Sequence, residues 1–469
     1  MTYRTRHLLH DICNARSTLK ISARGLKMAI LAGSALSACM TAHAIEFGPD
    51  GMFSLTGFAE FTAGLQNNYC YNCQVAGPTA SKQLASSDAV IPGKHYGAVT
   101  ATNWQVQPYL GAKYDLSGGY QLSGLLSQRW RDGYVDGNES DVRYNGTVDI
   151  PNFYYEKNIA VSHEDYGSVR IGSMQTRSWS VTDYPYDSNL GLQDAFASSG
   201  AGYGLLSNAV RLASRPFDVL GGDLFVELTY DQGNNNYVRL TPSLYELYLQ
   251  FHRGDLVIDA IGQDSVNGAA GAWGKAPFSG VTPYSIDGAY VDPNGNRFGG
   301  NHQNIALLLA RYEVTSQIQV SGAIRRNVWS GASVVYNPVT QSTTGFNVDF
   351  TNQLAASPTG YSASSVDAML GARLKLGRWT YLTGLTYLGA ADTRNPSDRG
   401  QSNTATFATV GLKYDYAPGL QLEATAGEVR YGHLGLSPMS MPSNSSFFNV
   451  DSRITQEGNF LSLGFIYTF

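Results

Sequence analysis

The chain has 469 residues, of which 43% are hydrophobic, 12% aromatic and 15% charged, and its formal net charge is −5. The charged fraction is well below the roughly 25% of ordinary soluble domains, and the negative charge disfavours nucleic acid as a partner. Downstream of the N-terminal segment, no stretch approaches the roughly 20 apolar residues of a membrane-spanning helix. The 51 Gly and 30 Tyr residues favour a β protein whose strands alternate apolar and polar faces.

The N-terminus has the pattern of a secretory signal peptide. A basic segment precedes the apolar run MAILAGSALSACM and the small-residue site Ala42-His43-Ala44, which predicts cleavage after Ala44. The basic segment is long, which leaves open a start codon further downstream. The stretch that ends at Cys39 resembles a lipobox, so a lipidated Cys39 is an open alternative. Residues 1–44 hold six of the 32 Lys and Arg and one of the 37 Asp and Glu, so the mature chain carries 26 against 36, a charge of −10.

Two cysteines, Cys70 and Cys73, remain in the mature chain, in the stretch NNYCYNCQ. A C-x-x-C motif can bind metal or act in redox chemistry, but a zinc site needs two further ligands. The only His nearby is His95. In an exported protein a small disulfide loop is the favoured interpretation, and no metal or cofactor site is predicted.

From the predicted cleavage site onward, strand-like segments alternate with two kinds of connection. In the first segment, FSLTGFAEFTAGL, Phe53, Leu55 and Phe61 lie on one face, and Glu60 and Thr62 lie on the other. Seven pairs follow, each joined by a tight turn and separated from the next pair by a longer loop. They are WQVQPYLGAKYDL with YQLSGLLSQRWRD, NFYYEKNIAVSHED with SVRIGSMQTRSW, NAVRLASRPF with DLFVELTYDQG, LYELYLQFH with DLVIDAIGQDS, NIALLLARYEV with QIQVSGAIRRNVW, SVDAMLGARLKL with WTYLTGLTYLGA, and TATFATVGLKYDY with LQLEATAGEVRYG.

The last segment, NFLSLGFIYTF, alternates large apolar residues with mostly small or mildly polar ones and brings the count to sixteen. An even number of strands of about ten residues, with short turns at one end and long loops at the other, is the pattern of an outer-membrane barrel. The apolar face then contacts lipid, and closure of the ring satisfies every strand edge. The sequence therefore predicts an all-β fold, a transmembrane antiparallel barrel of 16 strands that forms one domain over residues 45–469. Such a barrel is wide enough for a water-filled channel.

Three stretches resemble the sixteen-stranded, trimeric Gram-negative porins of the general diffusion type. HEDYGSVRIGSMQTRSW is similar to that family's fourth turn and fifth strand, and FGPDGMFSLTGFAEFTAGL to its first strand. The C-terminal Phe469, preceded by Phe465 and Tyr467, resembles the signal read by the barrel-assembly machinery. The chain departs from typical members in its longer loops near residues 264–302 and 327–364, which puts the generality of its substrates in question.

The resemblance implies that the loop over residues 178–208 folds into the barrel and narrows the pore. This loop contains no Lys or Arg, and a loop of this length between paired strands calls for a functional role. Carboxylates confined within a low-dielectric wall have a stronger field than carboxylates on an open surface. The acids of the loop are Asp183, Asp187 and Asp194.

Basic residues are expected on the inner face of the wall. Strand alternation points them into the lumen, and family geometry places them opposite the acidic loop. Together with the negative charge of the mature chain, this arrangement predicts a transverse field and a weak cation preference. The basic residues are Lys113, Arg129, Arg131, Arg170, Arg325, Arg373 and Lys375.

Other functions remain to be weighed against a diffusion channel. No G-x-S-x-G or H-E-x-x-H motif is present, so no enzyme is predicted. A substrate-selective porin for sugars or small organic acids is an alternative, because the aromatic residues of the loop could form a stacking track. A surface adhesin is a further alternative that would use the long external loops. The aromatic residues in question are Trp179, Tyr184, Tyr186, Phe196 and Tyr203.

The resemblance also implies a set of partners and a location. They are a homotrimer, the lipid and lipopolysaccharide of the outer membrane, the barrel-assembly machinery with periplasmic chaperones, and small hydrophilic solutes. The expected location is the outer membrane, reached by export with the signal peptide.

Overall fold

The computed structural model describes residues 44–68, 98–131, 134–135, 156–190, 195–197, 199, 205–232, 243–266, 302–337, 342–347, 361–390, 392–393, 404–432 and 457–469. Within these residues no helix is long and apolar enough to cross a bilayer. The predicted signal peptide, apart from Ala44, lies outside the described residues. So do Cys70, Cys73, Asp194 and Tyr203.

Sixteen antiparallel strands form a closed barrel, as the sequence predicts. Each strand pairs with the next along the chain, and the last pairs with the first from Phe58↔Thr468 to Asn68↔Gly458. The strands, numbered β1 to β16 in chain order, are Phe53–Asn68, Ala98–Asp115, Tyr120–Ser127, Glu156–His163, Gly167–Gln175, Leu205–Ala213, Gly222–Asp231, Ser243–Arg253, Leu256–Val266, His302–Glu313, Ile318–Asn337, Tyr361–Leu376, Trp379–Leu388, Ala405–Ala417, Leu420–Tyr431 and Glu457–Thr468.

Short elements extend the wall at its two rims. Single turns of 3₁₀ helix lie at Pro49–Gly51 and Ser117–Gly119. The short strands in the described part of the chain are Ile45–Phe47, Trp130–Arg131, Tyr134–Val135, Phe217–Val219, Ser342–Asn347 and Asp392–Thr393.

The seam between the chain ends closes the barrel. Ile45–Phe47 pairs with residues 53–55 at the start of β1. The pairing of β1 with β16 begins three residues later, at Phe58. Gly57 and Phe469 exchange backbone hydrogen bonds of 2.9 and 3.0 Å between these two pairings. The short strand Ile45–Phe47 therefore occupies the same place in the ring as β16, beside the part of β1 that β16 does not reach.

Tight turns join the strands at one end of the barrel, as the sequence predicts. The turn between β14 and β15 requires glycine, because Gly419 has a φ of 78° and a Cβ there would lie 2.4 Å from the Thr468 carbonyl oxygen. Such a backbone conformation is open to glycine at little cost. The long connections all leave from the other end.

The two faces of the wall differ as a lipid-embedded barrel requires. On β16, Leu461, Leu463 and Phe465 are 48%, 57% and 38% exposed, whereas the intervening Ser462 is 3% exposed. Exposed apolar side chains alternate with buried or polar ones in the same way around the ring. The period of two in the sequence thus becomes an apolar outer face and a polar inner face.

Candidate pore constriction

The connection between β5 and β6 begins with short helical segments that run to Leu190. β5 ends at Gln175, and helix α1 spans Arg177–Val181. The Thr176 side chain caps this helix by accepting a hydrogen bond of 3.3 Å from the Trp179 N–H. Threonine is a common residue at the N-cap of a helix, where its hydroxyl accepts such a bond. A π-helical turn, Thr182–Asp187, and a 3₁₀ turn, Ser188–Leu190, follow directly.

The first anchor of this loop joins α1 to the inner face of β7, β8 and β9. The Arg177 guanidinium donates two hydrogen bonds of 2.7 Å to Glu227. The Arg177 and Ser178 N–H groups donate to Glu246 at 2.7 and 3.1 Å, and the Ser178 hydroxyl donates to Gln263 at 2.7 Å. Burial alone would lower the pKa of Arg177, but the Glu227 carboxylate outweighs it and raises that pKa above the ordinary value. A charged, doubly bonded pair of this kind fixes position as well as contributing energy.

The second anchor is the side chain of Tyr186, which is fully buried. Its hydroxyl donates a hydrogen bond of 2.6 Å to Asp259 on β9. The Arg311 guanidinium lies 6.0 Å from the centre of the Tyr186 ring, within the range of a cation–π contact. Burial, reinforced by the Asp259 charge, raises the pKa of Tyr186, so the phenol remains a hydrogen-bond donor.

The third anchor is Arg325 on β11, whose side chain is 1% exposed. It donates hydrogen bonds of 2.7 Å to the Phe196 carbonyl and to the Ser199 hydroxyl. It also pairs with Asp367 on β12 at 2.8 Å, and its guanidinium lies 4.3 Å from the centre of the Phe196 ring. One inward-facing arginine thus ties the later part of the loop to two neighbouring strands.

These anchors show that the loop lies inside the barrel, against the part of the wall formed by β7 to β12. Its other side faces the remaining strands through Asp183 and Tyr184. The charge of Asp183 interacts with Arg129, two residues beyond the end of β3, and with Glu60 on β1. Tyr184 interacts with Lys413 on β14. Asp183 and Tyr184 therefore face Glu60, Arg129 and Lys413 across the narrowed passage.

The wall that faces Asp183 carries both signs of charge. Glu60 accepts a hydrogen bond of 2.7 Å from Gln105, and Lys413 pairs with Glu423 on β15 at 2.8 Å. Desolvation inside the barrel raises the pKa of Asp183, against the hydrogen bond from Ser188 and the charge of Arg129. Among the described side chains that these interactions connect, the acids Asp183, Glu60 and Glu423 outnumber the bases Arg129 and Lys413.

The three predicted acids of the loop differ in their surroundings. Asp183 is half-buried and borders the passage. Asp187 is 0% exposed, and its carboxylate accepts a hydrogen bond of 2.8 Å from the Ala197 N–H. The assignment of Asp187 as a lumen-facing acid is therefore corrected, because its side chain holds the loop together instead of facing the solution. Asp194 lies outside the described residues.

Most of the predicted basic residues of the wall are engaged with acidic or amide side chains, and their role opposite the acidic loop stays a prediction. Arg325 is a buried anchor of the loop and does not present an open charge. Arg129 donates to Gln107 at 2.7 Å, and the side chain of Arg131 is not described. The remaining pairs are Arg170 with Asn158 at 2.6 Å, Lys113 with Glu46 at 3.9 Å, Arg373 with Glu313 at 3.5 Å and Lys375 with Asp415 at 3.4 Å.

The structure adds anchor residues that the sequence reasoning missed. Arg177 was placed on a strand, but it begins α1 and gives the loop a positive charge beside Glu227. Strand alternation already puts Glu227, Glu246 and Asp259 on the inner face, but the sequence alone does not show that the loop returns to them. These three acids lie on strands two to four places after β5, and the sequence does not show that the loop contacts strands so far along the ring.

Three of the four described aromatic residues of the loop are buried and do not form an exposed stacking track. Trp179 is 8% exposed, and Tyr186 and Phe196 are 0% exposed. Tyr184 is half-buried beside Lys413. Among the described aromatic residues of the loop, only Tyr184 is positioned to meet a solute.

Comparisons with known proteins agree with this architecture. No family model and no curated protein sequence matches the chain. Among solved structures, the anion-selective porin from Comamonas acidovorans matches with a TM-score of 0.55 at 12% identity, covering 89% of this chain and 99% of that one. At this identity the similarity establishes the fold only.

Two further structures match less well. OmpT of Vibrio cholerae has a TM-score of 0.48 at 12% identity, covering 90% of this chain and 100% of that one. A mutant porin of Rh. blastica has a TM-score of 0.43 at 13% identity, covering 89% and 100%. Both scores are below 0.5, so the fold assignment rests on the Comamonas porin. The chain is a sixteen-stranded β-barrel of the outer-membrane type, with the fold of a porin.

Proposed function

We propose that this protein is an outer-membrane porin that forms a water-filled channel for passive diffusion of small hydrophilic solutes and ions. The observation that carries the proposal is the anchored loop within a closed sixteen-stranded barrel. A barrel of this size encloses an aqueous lumen, and three anchors hold the loop across part of it. The buried aromatic residues favour a general channel over one that stacks sugar rings.

The proposed channel is weakly cation-selective. Among the described side chains at the passage, Asp183, Glu60 and Glu423 outnumber Arg129 and Lys413. Fixed charges in a narrow lumen raise the local concentration of counter-ions. The preference is weak because basic and acidic side chains are interleaved. The Comamonas porin is described as anion-selective, so selectivity is a property in which this chain is expected to differ from a structural neighbour.

The remaining elements of the proposal concern biogenesis and assembly. The protein is exported by the signal peptide over residues 1–44, inserted by the barrel-assembly machinery with periplasmic chaperones through the C-terminal Phe469, and assembled as a homotrimer. A disulfide between Cys70 and Cys73 is expected to form after export.

Planar-bilayer recording tests the proposal. The purified mature chain is reconstituted, and single-channel current is measured in a salt gradient before and after addition of sugars and small acids. Large conductance in steps of three, a zero-current potential of the sign for cations and no block by solutes are expected. An absence of channels would refute the porin assignment, and a clear anion preference would refute the selectivity. Block by one solute at low concentration would point to a substrate-selective porin.

A further inference from the structure

Two groups of ion pairs lie on the inner face of the barrel, and they differ in their contact with water. The pairs that hold the constriction loop are buried, since the side chains are 8% and 2% exposed in Arg177 with Glu227 and 1% and 0% exposed in Arg325 with Asp367. In three further pairs, on β10 and β12 to β15, every side chain is 15–31% exposed. They are Arg373 with Glu313 at 3.5 Å, Lys375 with Asp415 at 3.4 Å and Lys413 with Glu423 at 2.8 Å.

These three pairs form what we call the ion-pair belt, which lies on the wall between the constriction loop and the tight turns. Leu190 of the loop lies over Gly371 on β12, where an added Cβ would be 2.9 Å from its side chain. Arg373 is the next inward-facing residue of β12 on the turn side. At the other end of the belt, Lys413 interacts with Tyr184 at the passage. The belt therefore follows the path that a solute takes between the turn end of the lumen and the passage.

Acids and bases are interleaved along the ion-pair belt. Lys413 lies in register with Glu423 on the neighbouring strand. Asp415 occupies the next inward-facing position after Lys413 on β14, and its carboxylate is paired with Lys375 on β12. An acid thus lies between the two lysines and another lies beyond them, so both signs of charge are presented to the lumen at each step.

The weakness of partly exposed ion pairs makes them open to exchange with a solute. Such pairs contribute about 0–1 kcal/mol, so their partners can give up their mutual contact at little cost. A zwitterion brings an ammonium and a carboxylate together, and it can engage both partners of one pair without leaving a charge uncompensated. An uncharged solute must instead displace water from charged groups without replacing the interactions that the water made.

We propose that the ion-pair belt favours zwitterionic solutes, the class of free amino acids and short peptides, over uncharged solutes of the same size. The interleaved charges let a zwitterion move from one pair to the next while both of its charges stay compensated. The inference rests on the proposed channel function and names a solute class for it. It assigns the exposed pairs to the solute and leaves the buried pairs as anchors of the loop.

Vesicle swelling with two solutes of nearly equal size, zwitterionic threonine and uncharged erythritol, tests the inference at neutral pH. The purified mature chain is reconstituted, swelling rates are corrected for vesicles without protein, and the ratio of threonine entry to erythritol entry is compared among variants. K413Q/E423Q and K375Q/D415N each remove one base and one acid, so the net charge of the lumen is kept. The matched control is E428Q/R430Q, which removes a pair 2.5 Å apart on the outer face of β15.

The wild type should give a ratio of threonine entry to erythritol entry above one. Each belt variant should lower this ratio about two- to fivefold, the equivalent of one partly exposed ion pair, and E428Q/R430Q should match the wild type. Both belt variants should fold, because pairs of this exposure contribute little stability. A wild-type ratio of one or less, or a ratio that neither belt variant changes, would overturn the inference.

Entry of erythritol separates this inference from the proposed function. If erythritol enters and the ratio does not depend on the ion-pair belt, the channel stands and the preference for zwitterions fails. If neither solute enters vesicles that hold the folded protein, the porin proposal fails and the inference fails with it.

Discussion

Replacement of Arg325 by methionine should release the later part of the constriction loop. Arg325 is 1% exposed and holds the Phe196 carbonyl and the Ser199 hydroxyl, each at 2.7 Å. Its loss would also leave Asp367 without the opposite charge that lies 2.8 Å away. Breaking a buried ion pair by removing one partner costs about 3–5 kcal/mol.

The cost for R325M should fall near the lower end of that range. The Asp367 carboxylate keeps hydrogen bonds of 2.7 Å from Asn327 and 2.9 Å from the Gly389 N–H, so it is not left bare. We therefore expect a destabilisation of about 3 kcal/mol, most of it in the docking of the loop. The double variant R325M/D367N should recover part of this loss, because no uncompensated charge then remains.

Two measurements test this prediction. Urea unfolding followed by tryptophan fluorescence gives the change in the free energy of unfolding, and single-channel recording gives the conductance and its noise. R325M should show larger, noisier conductance, because the loop no longer holds one position in the lumen. The matched control is Arg373→Met, whose ion pair with Glu313 is more exposed and touches no part of the described loop; it should cost about 1 kcal/mol or less. Wild-type conductance, noise and stability in R325M would refute the anchoring role.

Four further predictions concern the same site. Asp183→Asn should lower the ratio of cation to anion permeability, whereas Asp187→Asn should leave this ratio unchanged. Zero-current potentials in a salt gradient measure the ratio for both variants, and equal effects would mean that Asp187 reaches the lumen. Because the pKa of Asp183 is raised, the wild-type preference should decline as the pH falls through a value above that of an ordinary aspartate, and D183N should lack this step. Glu227→Gln removes the charge that two buried guanidinium groups share, so it should cost about 3 kcal/mol in urea unfolding, and an unchanged midpoint would count against the first anchor. Gly371→Ala would place a Cβ 2.9 Å from the Leu190 side chain on the loop. This contact should lower the free energy of unfolding by about 1–3 kcal/mol and alter the conductance. Wild-type stability and conductance would show that the loop moves aside at this position without cost.

The strand pattern was predictable because it is set locally. Side chains that face lipid must be apolar, whereas side chains that face the lumen can be polar. Each strand therefore alternates apolar and polar residues, and this alternation is visible in its own sequence without knowledge of the neighbouring strands. Tight turns such as the one at Gly419 can be recognised from the sequence, because their positive φ favours glycine. All sixteen predicted segments correspond to strands in the described structure, although Arg177 and Trp179, read as the end of β5, belong to α1.

The position of the loop inside the barrel depends on contacts with residues that are far away in the sequence. Its acids were visible, but Asp187 and Asp183 look alike in the sequence, and only the fold buries one and leaves the other beside the passage. In the same way, Arg325 reads as one more lumenal base until Phe196, which is more than a hundred residues earlier, is brought against it. Alternation determines that a side chain faces inward, whereas the path of the loop determines whether it then meets water or another part of the chain. The sequence by itself therefore determined the barrel, and the tertiary structure decided which of its inward charges remain open to the channel.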